Sequence, residues 1–305
     1  MTKKKIETLD DFVLDENTKN VIKFAIQAAR KKNESLKHIL LTGAGGLGKS
    51  TLAKVISNEY NPNGHFFIEY GPKIKNDIAI INTIRKMKDG DILFIDEVHA
   101  IKDQTIIEML YSVMQDRVIN VRVGKSSLSK PTASITVIAA TTDLWKLTDS
   151  FIGRFPIKID LLPYSDIQLS TMIHSYSDRN VDSSAAEKIA IMSRGIARLA
   201  VESIDTINLY ADANDISTID VSTVNSVLGL LNIDEYGLTM IQRDYLKLLS
   251  DDFNRSLSIN MISSLLNKPK QELERFVEPL LIELDLIEKT TSGRNITQKG
   301  IELYQ

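Results

Sequence analysis

The chain has 305 residues, of which 43% are apolar, 25% charged and 6% aromatic, and its 37 basic and 40 acidic side chains leave a net charge of −3. This composition supplies cores for about two or three domains and excludes a disordered chain or a histone-like basic protein, though not a local basic surface. The lack of cysteine removes disulfides and thiolate zinc sites, and four scattered histidines (His38, His65, His99, His174) form no metal cluster.

Lys3-Lys4-Lys5 leads into Asp10-Asp11 without an apolar signal core, and no run of ~18 apolar residues follows. The sequence therefore predicts a cytoplasmic protein that makes no use of a membrane. Asp15 is placed to cap a helix whose apolar positions Val21, Ile22, Ala25, Ile26 and Ala29 fall at helical spacing. Ile39-Leu40-Leu41 then reads as a strand. It runs into Gly43-Ala44-Gly45-Gly46-Leu47-Gly48-Lys49-Ser50, and a helix continues from Thr51. Further strands are predicted at 65–70, 92–95, 134–140 and 157–161, with helices at 77–87 and 104–114 between them. The runs at 92 and 134 are almost wholly apolar, as strands buried on both faces are. Such alternation predicts a parallel α/β sheet.

After Pro163 the pattern becomes helical, at 166–176, 183–193, 198–210 and 221–231, with no strand expected until about Leu286. Three more helices (239–250, 259–266, 270–284) precede an apparent hairpin around 290–294, which is the order of a winged helix. The predicted organisation is an α/β domain over 1–162, a helical lid over 163–233 and a winged-helix DNA-binding domain over 234–305.

The segment from Gly43 to Ser50 fits the phosphate-binding P-loop pattern. Glycines let the backbone turn tightly and aim amide N–H groups at phosphate oxygens, and the next helix adds its positive end. Gly43, Gly45, Gly46, Leu47, Gly48, Lys49, Ser50 and Thr51 are thus expected to bind ATP. Lys49 would reach the β and γ phosphates, and Ser50 would offer a hydroxyl to Mg²⁺. The apolar strand at 92–95 ends in Asp96-Glu97, where a carboxylate pair can serve Mg²⁺ (Asp96, with Ser50) and the attacking water (Glu97). A strand candidate between the two motifs, and a Glu directly after the Asp, place the chain with the additional-strand, catalytic-glutamate ATPases. His99, in Asp96-Glu97-Val98-His99, reads as a local orienter or a surface residue. The next strand ends in Thr141-Thr142, and Thr142 can reach the γ-phosphate, the water, or only its own turn. Arg154 can serve as a finger into a neighbouring subunit's site, and Arg198 can swing onto the γ-phosphate; on spacing alone each arginine is more often just a surface residue.

Along nearly its whole length the sequence resembles the RuvB family of Holliday-junction branch-migration motors, within the AAA+ ATPases. Leu9-Asp10-Asp11-Phe12-Val13 is similar to the family's motif beside the adenine, which implies nucleotide contacts for Phe12 and Val13. Leu40 to Ala53 resembles its P-loop, and Phe94 to His99 its Walker B strand. Ala140-Thr141-Thr142 resembles sensor 1, Arg154-Phe155 the arginine finger, and Ser193-Arg194-Gly195 with Arg198 sensor 2. Leu231 to Asp234, Glu278-Pro279 and Gly293-Arg294 resemble parts of its winged helix. The resemblance implies catalytic roles for Lys49, Asp96, Glu97, Thr142, Arg154 and Arg198. It also implies a hexamer-like ring, and branched or duplex DNA as the partner, contacted by Lys289 and Arg294 of the wing.

The family's hairpin before sensor 1 docks a junction-binding partner, RuvA. In this chain Ile119, Val121 and Val123 alternate as a strand does, but the polar return through Pro131 is about four residues short, so the hairpin at 118–131 is expected to bind a RuvA-like protein differently or to dock another partner, the alternative being a trimmed surface loop with none. The function implied is an ATP-driven translocase or helicase that migrates junctions in recombination and repair. The alternative is an AAA+ loader or initiator that uses ATP binding to place a partner protein on DNA.

Overall fold

The computed structural model describes residues 6–123, 126–234, 236–251 and 256–304. Lys3, Lys4, Lys5 and Lys125 lie outside these residues. The strands of the first part are β1 (Ile39–Thr42), β2 (Phe66–Tyr70), β3 (Ile92–Asp96), β4 (Val118–Val123), β5 (Ser126–Pro131), β6 (Thr136–Thr141) and β7 (Ile157–Asp160). Five of them form one parallel sheet in the order β2-β3-β6-β1-β7. β4 and β5 pair antiparallel as a separate hairpin, from Val118 opposite Pro131 to Val123 opposite Ser126. The proline sits at the open end of that ladder, where its missing N–H costs least.

The apolar runs are central for a reason visible in their burial. Leu93, Phe94 and Ile95 of β3 and Val137 to Ala140 of β6 are buried, whereas Ile68 and Tyr70 of the edge strand β2 are exposed. Register then aligns the strand ends. Thr42 lies beside Thr141 and Asp160, Ile95 beside Ala139, and Tyr70 beside Asp96. The loops carrying the predicted chemistry therefore leave the same edge of the sheet, where ligands of parallel sheets bind. In space it is β6 that separates β1 from β3.

Helices flank the sheet: α1 (Glu16–Lys32), α2 (Lys49–Tyr60), α3 (Asp77–Lys86), α4 (Gln104–Asp116) and the short α5 (Asp149–Ile152). Asp15 caps α1 by accepting from the Thr18 N–H at 2.9 Å. The buried face of α1 is Ile22, Ile26 and Ala29; Val21, expected on it, is exposed, because it sits one residue (about 100°) round the helix from Ile22. α3 and α4 cover the sheet with Ile80, Ile84, Ile106, Leu110 and Val113, packed with Leu93, Ile95, Val137 and Ala139. Each such side chain, fully buried, contributes about 1.5–3 kcal/mol.

The chain divides into two compact units, Met1–Leu209 and Tyr210–Gln305. The first also holds α6 (Asp166–Tyr176), α7 (Ser183–Ser193) and the start of α8 (Ala197–Ala213). Ser165 and Gln168 close α6 with a reciprocal capping box. Two-residue strands at Asn180–Val181 and Thr218–Ile219 depart from the strand-free expectation. They are too short to leave an alternating pattern.

The second unit contains α9 (Val221–Leu230), α10 (Met240–Asp251) and α11 (Ile259–Leu265). A helical stretch from Lys270 to Glu283 follows, and then strands Ile287–Lys289 and Arg294–Ile296. The strands pair with Lys289 opposite Arg294, giving the helix-helix-helix-hairpin order of a winged helix. Its core gathers Tyr245, Leu246, Leu249, Ile262, Leu273, Leu281 and Leu286. The third helix is not regular: Leu273–Val277 is a π turn. Pro279 follows, and its missing N–H breaks the usual backbone ladder there. A final helix, Gln298–Tyr304, was not foreseen; the Thr297 hydroxyl accepts from the Gly300 N–H at 3.1 Å and caps it. Among the described residues no helix is long and apolar enough to cross a membrane.

Candidate active site

The loop after β1 is built on left-handed glycines: Gly43 has φ +130°, Gly46 +85° and Gly48 +93°. A side chain would be strained at each, and space forbids one as well. A Cβ on Gly43 would lie 2.4 Å from the Leu161 carbonyl oxygen, and one on Gly46 would lie 2.8 Å from Ile196 Cγ2. Gly48 caps α2 without a side-chain hydrogen bond, so the first amides of that helix stay available to an anion.

Lys49 is buried, and its ammonium donates to the carbonyls of Gly43 at 2.7 Å and Ala44 at 2.8 Å, closing the loop around itself. Burial holds its pKa below the ordinary lysine value, against the opposing effect of Glu97 and Asp96. A phosphate would offer this cation a full charge in place of two carbonyl dipoles. The Ser50 hydroxyl donates to Asp96 Oδ2 at 3.0 Å. The two predicted metal-binding oxygens therefore already meet, and both are hard donors of the kind magnesium takes.

Glu97 has φ 49° and ψ 48°, a left-handed conformation that costs a non-glycine residue roughly 1–3 kcal/mol. Thr142 donates its hydroxyl to Glu97 Oε2 at 3.0 Å, so the acidic pair and the end of β6 converge. Arg198 is anchored to the loop, its backbone N–H donating to the Gly46 carbonyl at 3.0 Å.

A cavity of about 370 Å³ opens over this loop, within the range of small-ligand sites. Phe12, Val13, Gly45, Gly46, Gly48, Lys49, Ser50, Thr51, Asp96, Glu97 and Arg198 all line it. Gly43 and Leu47 shape the loop rather than the wall. Residues that sequence reasoning did not single out complete it. Tyr164 donates its hydroxyl to the Leu47 carbonyl at 2.9 Å, and burial pushes its pKa up to about 12. Met172, Tyr176 and Val201 supply an apolar side suited to a base.

Arg154 is not among the residues lining this cavity. It follows α5 in the chain and directly precedes Phe155, whose buried ring meets that of Phe151 edge-on at 5.2 Å. Its guanidinium lies 5.1 Å from the centre of the Tyr111 ring, and its buried Nε has no hydrogen-bond partner.

The wing residues are placed differently from expectation. Arg294 was expected at the wing tip facing phosphate, but its side chain is only 14% exposed. It donates to Glu278 Oε1 at 2.9 Å through Nε, and to Glu274 Oε1 at 3.1 Å through Nη2. The cause is the fully buried Glu278, which draws the guanidinium inward and also holds the Lys289 ammonium at 2.6 Å. Arg294 thus braces the wing. Lys289 remains 43% exposed. Lys268, just before the third helix, pairs with Glu272 at 3.1 Å. Among the described residues no group of three or more His, Asp or Glu is arranged to hold a metal ion.

Comparison with known proteins gives one consistent result. Residues 5–161 match the family profile of the Holliday junction DNA helicase RuvB P-loop domain, and residues 235–305 match that of the RuvB C-terminal winged helix domain. The chain is 32% identical over 300 residues to the Holliday junction branch migration complex subunit RuvB of Mycoplasmopsis synoviae, covering 96% of this chain and 94% of that protein. It is 33% identical over 309 residues to the same subunit of Mycoplasmopsis pulmonis, covering 98% and 96%. Among solved structures, the Thermotoga maritima RuvB Holliday junction branch migration motor superposes with a TM-score of 0.77 at 28% identity, covering 97% of this chain and 96% of that one.

Proposed function

The chain belongs to the RuvB family of Holliday-junction branch-migration motors, and we propose that it hydrolyses ATP to drive branch migration of four-way DNA junctions. The observation that carries this reading is convergence at one sheet edge. The glycine loop with Lys49, the Ser50–Asp96 contact and Glu97, whose carboxylate Thr142 holds from outside the lining, all meet at the same cavity.

ATP lies along the loop, with its base between Phe12, Val13 and the apolar side of the cavity. The loop amides and Lys49 take the phosphates. Ser50 and Asp96 hold Mg²⁺, which when bound neutralises charge on the phosphate oxygens. Glu97 accepts a proton from the attacking water, and Thr142 orients the water or the γ-phosphate. Arg198 couples the phosphates to the first helices after Pro163, which act as a lid over the nucleotide.

Arg154 acts on a neighbouring copy in a ring. Its position outside its own cavity, its place beside the buried Phe155 and its partnerless Nε support that role. An arginine supplied in this way is worth ~10³–10⁵ in rate. The hairpin of β4 and β5 docks a junction-binding protein of the RuvA kind. The winged helix binds duplex DNA by its backbone, which suits a motor that must not read sequence. Lys289 can exchange Glu278 for a phosphate, whereas Arg294 keeps the wing in shape.

The test is ATP turnover and strand exchange with a labelled four-way junction, compared with linear duplex and with no DNA. Junction-stimulated turnover with separated product arms is expected. Junction binding that ATP strengthens without any strand exchange would contradict the motor reading in favour of a loader.

A further inference from the structure

Behind Glu97 lies a cluster that the roles above leave unused. His99 sits in the short 3₁₀ turn that follows Glu97, and only 12% of its side chain is exposed. Its Nε2 faces Asp143 Oδ2 at 3.3 Å. Its Nδ1 lies 2.9 Å from Thr141 Oγ1 and 3.3 Å from Glu97 Oε2. The Asp143 N–H in turn donates to Thr141 Oγ1 at 3.0 Å. Asp143 Oδ2 also receives the Lys146 ammonium at 2.7 Å. The ring is therefore held on both nitrogens.

We propose that Asp143 and His99 form a positioning pair for Glu97, in which Asp143 fixes the imidazole and the imidazole's Nδ1 edge fixes the carboxylate. The proposal rests on the reading of Glu97 as the group that activates water.

The geometry explains why such a pair is needed. A ring nitrogen holds a carboxylate only through an N–H, so the pair works with a proton on both nitrogens, Nε2–H toward Asp143 and Nδ1–H toward Glu97, and Asp143 sets the ring orientation. Among the described residues, Thr142 and His99 both meet Glu97 at the same oxygen, Oε2. Oε1 is thereby turned to meet water. Thr142 is also the side chain that must serve the γ-phosphate or the water. Once nucleotide is bound its hydroxyl is no longer committed to Glu97, and His99 becomes the remaining restraint. Misplacement of a catalytic group by about 1 Å is enough to cost ~10²-fold in rate.

The test uses the full chain with Mg·ATP and junction DNA, measuring kcat and KM for His99→Ala, His99→Asn, Asp143→Ala and the double alanine variant. Thermal melting is recorded for each, with Glu97→Gln as the control. His99→Ala is expected to lose about tenfold to 10²-fold in kcat with KM within about twofold of wild type. His99→Asn carries an amide nitrogen close to the Nδ1 position and should recover most of that loss. Asp143→Ala should lower kcat, and should add little when His99 is already alanine, since the two act as one unit. A His99→Ala kcat within about twofold of wild type would overturn the proposal, because a restraint worth having costs more than that when removed. So would a loss matched by a fall in melting temperature and not recovered by asparagine. If Glu97→Gln itself hydrolyses ATP at the wild-type rate, the reading of Glu97 fails. If Glu97→Gln is inactive and His99→Ala is not, only the positioning pair fails.

Discussion

Replacing Glu278 by alanine should destabilise the winged helix more than any surface change can. The carboxylate is fully buried, and its oxygens receive Tyr245 Oη at 2.7 Å, Arg294 Nε at 2.9 Å and Lys289 Nζ at 2.6 Å. Alanine leaves the buried Tyr245 hydroxyl and the mostly buried Arg294 guanidinium without their acceptor, while the half-exposed Lys289 simply returns to water. Removing one partner of a buried ion pair costs about 3–5 kcal/mol. Hydrogen exchange on the full chain should show this as a fall of ~10²–10³-fold in the protection of α10 amides near Leu246 and Leu249, since each 1.4 kcal/mol is about tenfold. The effect should depend on pH. Burial raises the Glu278 pKa, but Arg294, Lys289 and Tyr245 outweigh it and the carboxyl ends below its ordinary value of 4.5. A group depressed by folding stabilises above its unfolded pKa and loses that contribution as pH falls through the folded one, so the gap between wild type and variant should narrow below pH 4.5. Protection within about threefold of wild type at neutral pH would refute the reasoning. It would mean that Arg294 is not held inward and is available to DNA.

The nucleotide site yields three further predictions. Arg154→Ala should bind ATP normally yet lose ~10³-fold or more in turnover, and titrating it into wild type should depress activity more steeply than dilution does; a linear decline would place the arginine outside its neighbour's site. Gly46→Ala brings a Cβ within 2.8 Å of Ile196 Cγ2 and 3.1 Å of Arg198 Cβ, so nucleotide affinity measured by calorimetry should drop by about tenfold or more while the melting temperature without ATP changes by a few degrees. Tyr164→Phe removes the hydrogen bond to the Leu47 carbonyl and should cost about 1 kcal/mol of stability in urea unfolding of the first unit, with unchanged stability marking that bond as dispensable.

The site was legible in sequence where chemistry forces a residue type within a short span. A loop that must reach φ +85° and +93° needs glycine at Gly46 and Gly48, so the phosphate loop announces itself. β3 and β6 were legible because strands buried on both faces leave apolar runs, and the carboxylates of Asp96 and Glu97 stand out at the end of one. What escaped notice depends on contacts between distant positions. Asp143 looks like any polar residue after a strand until the fold brings it against His99. Glu278 gave no sign that it would be buried, because Leu280 and Leu281 carry the visible helical pattern, so Arg294 read as a free cation. The π turn at Leu273–Val277 and the cap at Thr297 are likewise decided by local backbone bonding, which the apolar periodicity does not encode.

The most direct test of the account is a four-way junction offered to the Glu97→Gln protein with saturating Mg·ATP. The account predicts that ATP is bound and retained, that the protein stays on the junction, and that neither phosphate release nor arm exchange follows. Branch migration by this variant at the wild-type rate would contradict it, since the motor would then be running without the carboxylate that this structure holds between Thr142 and His99.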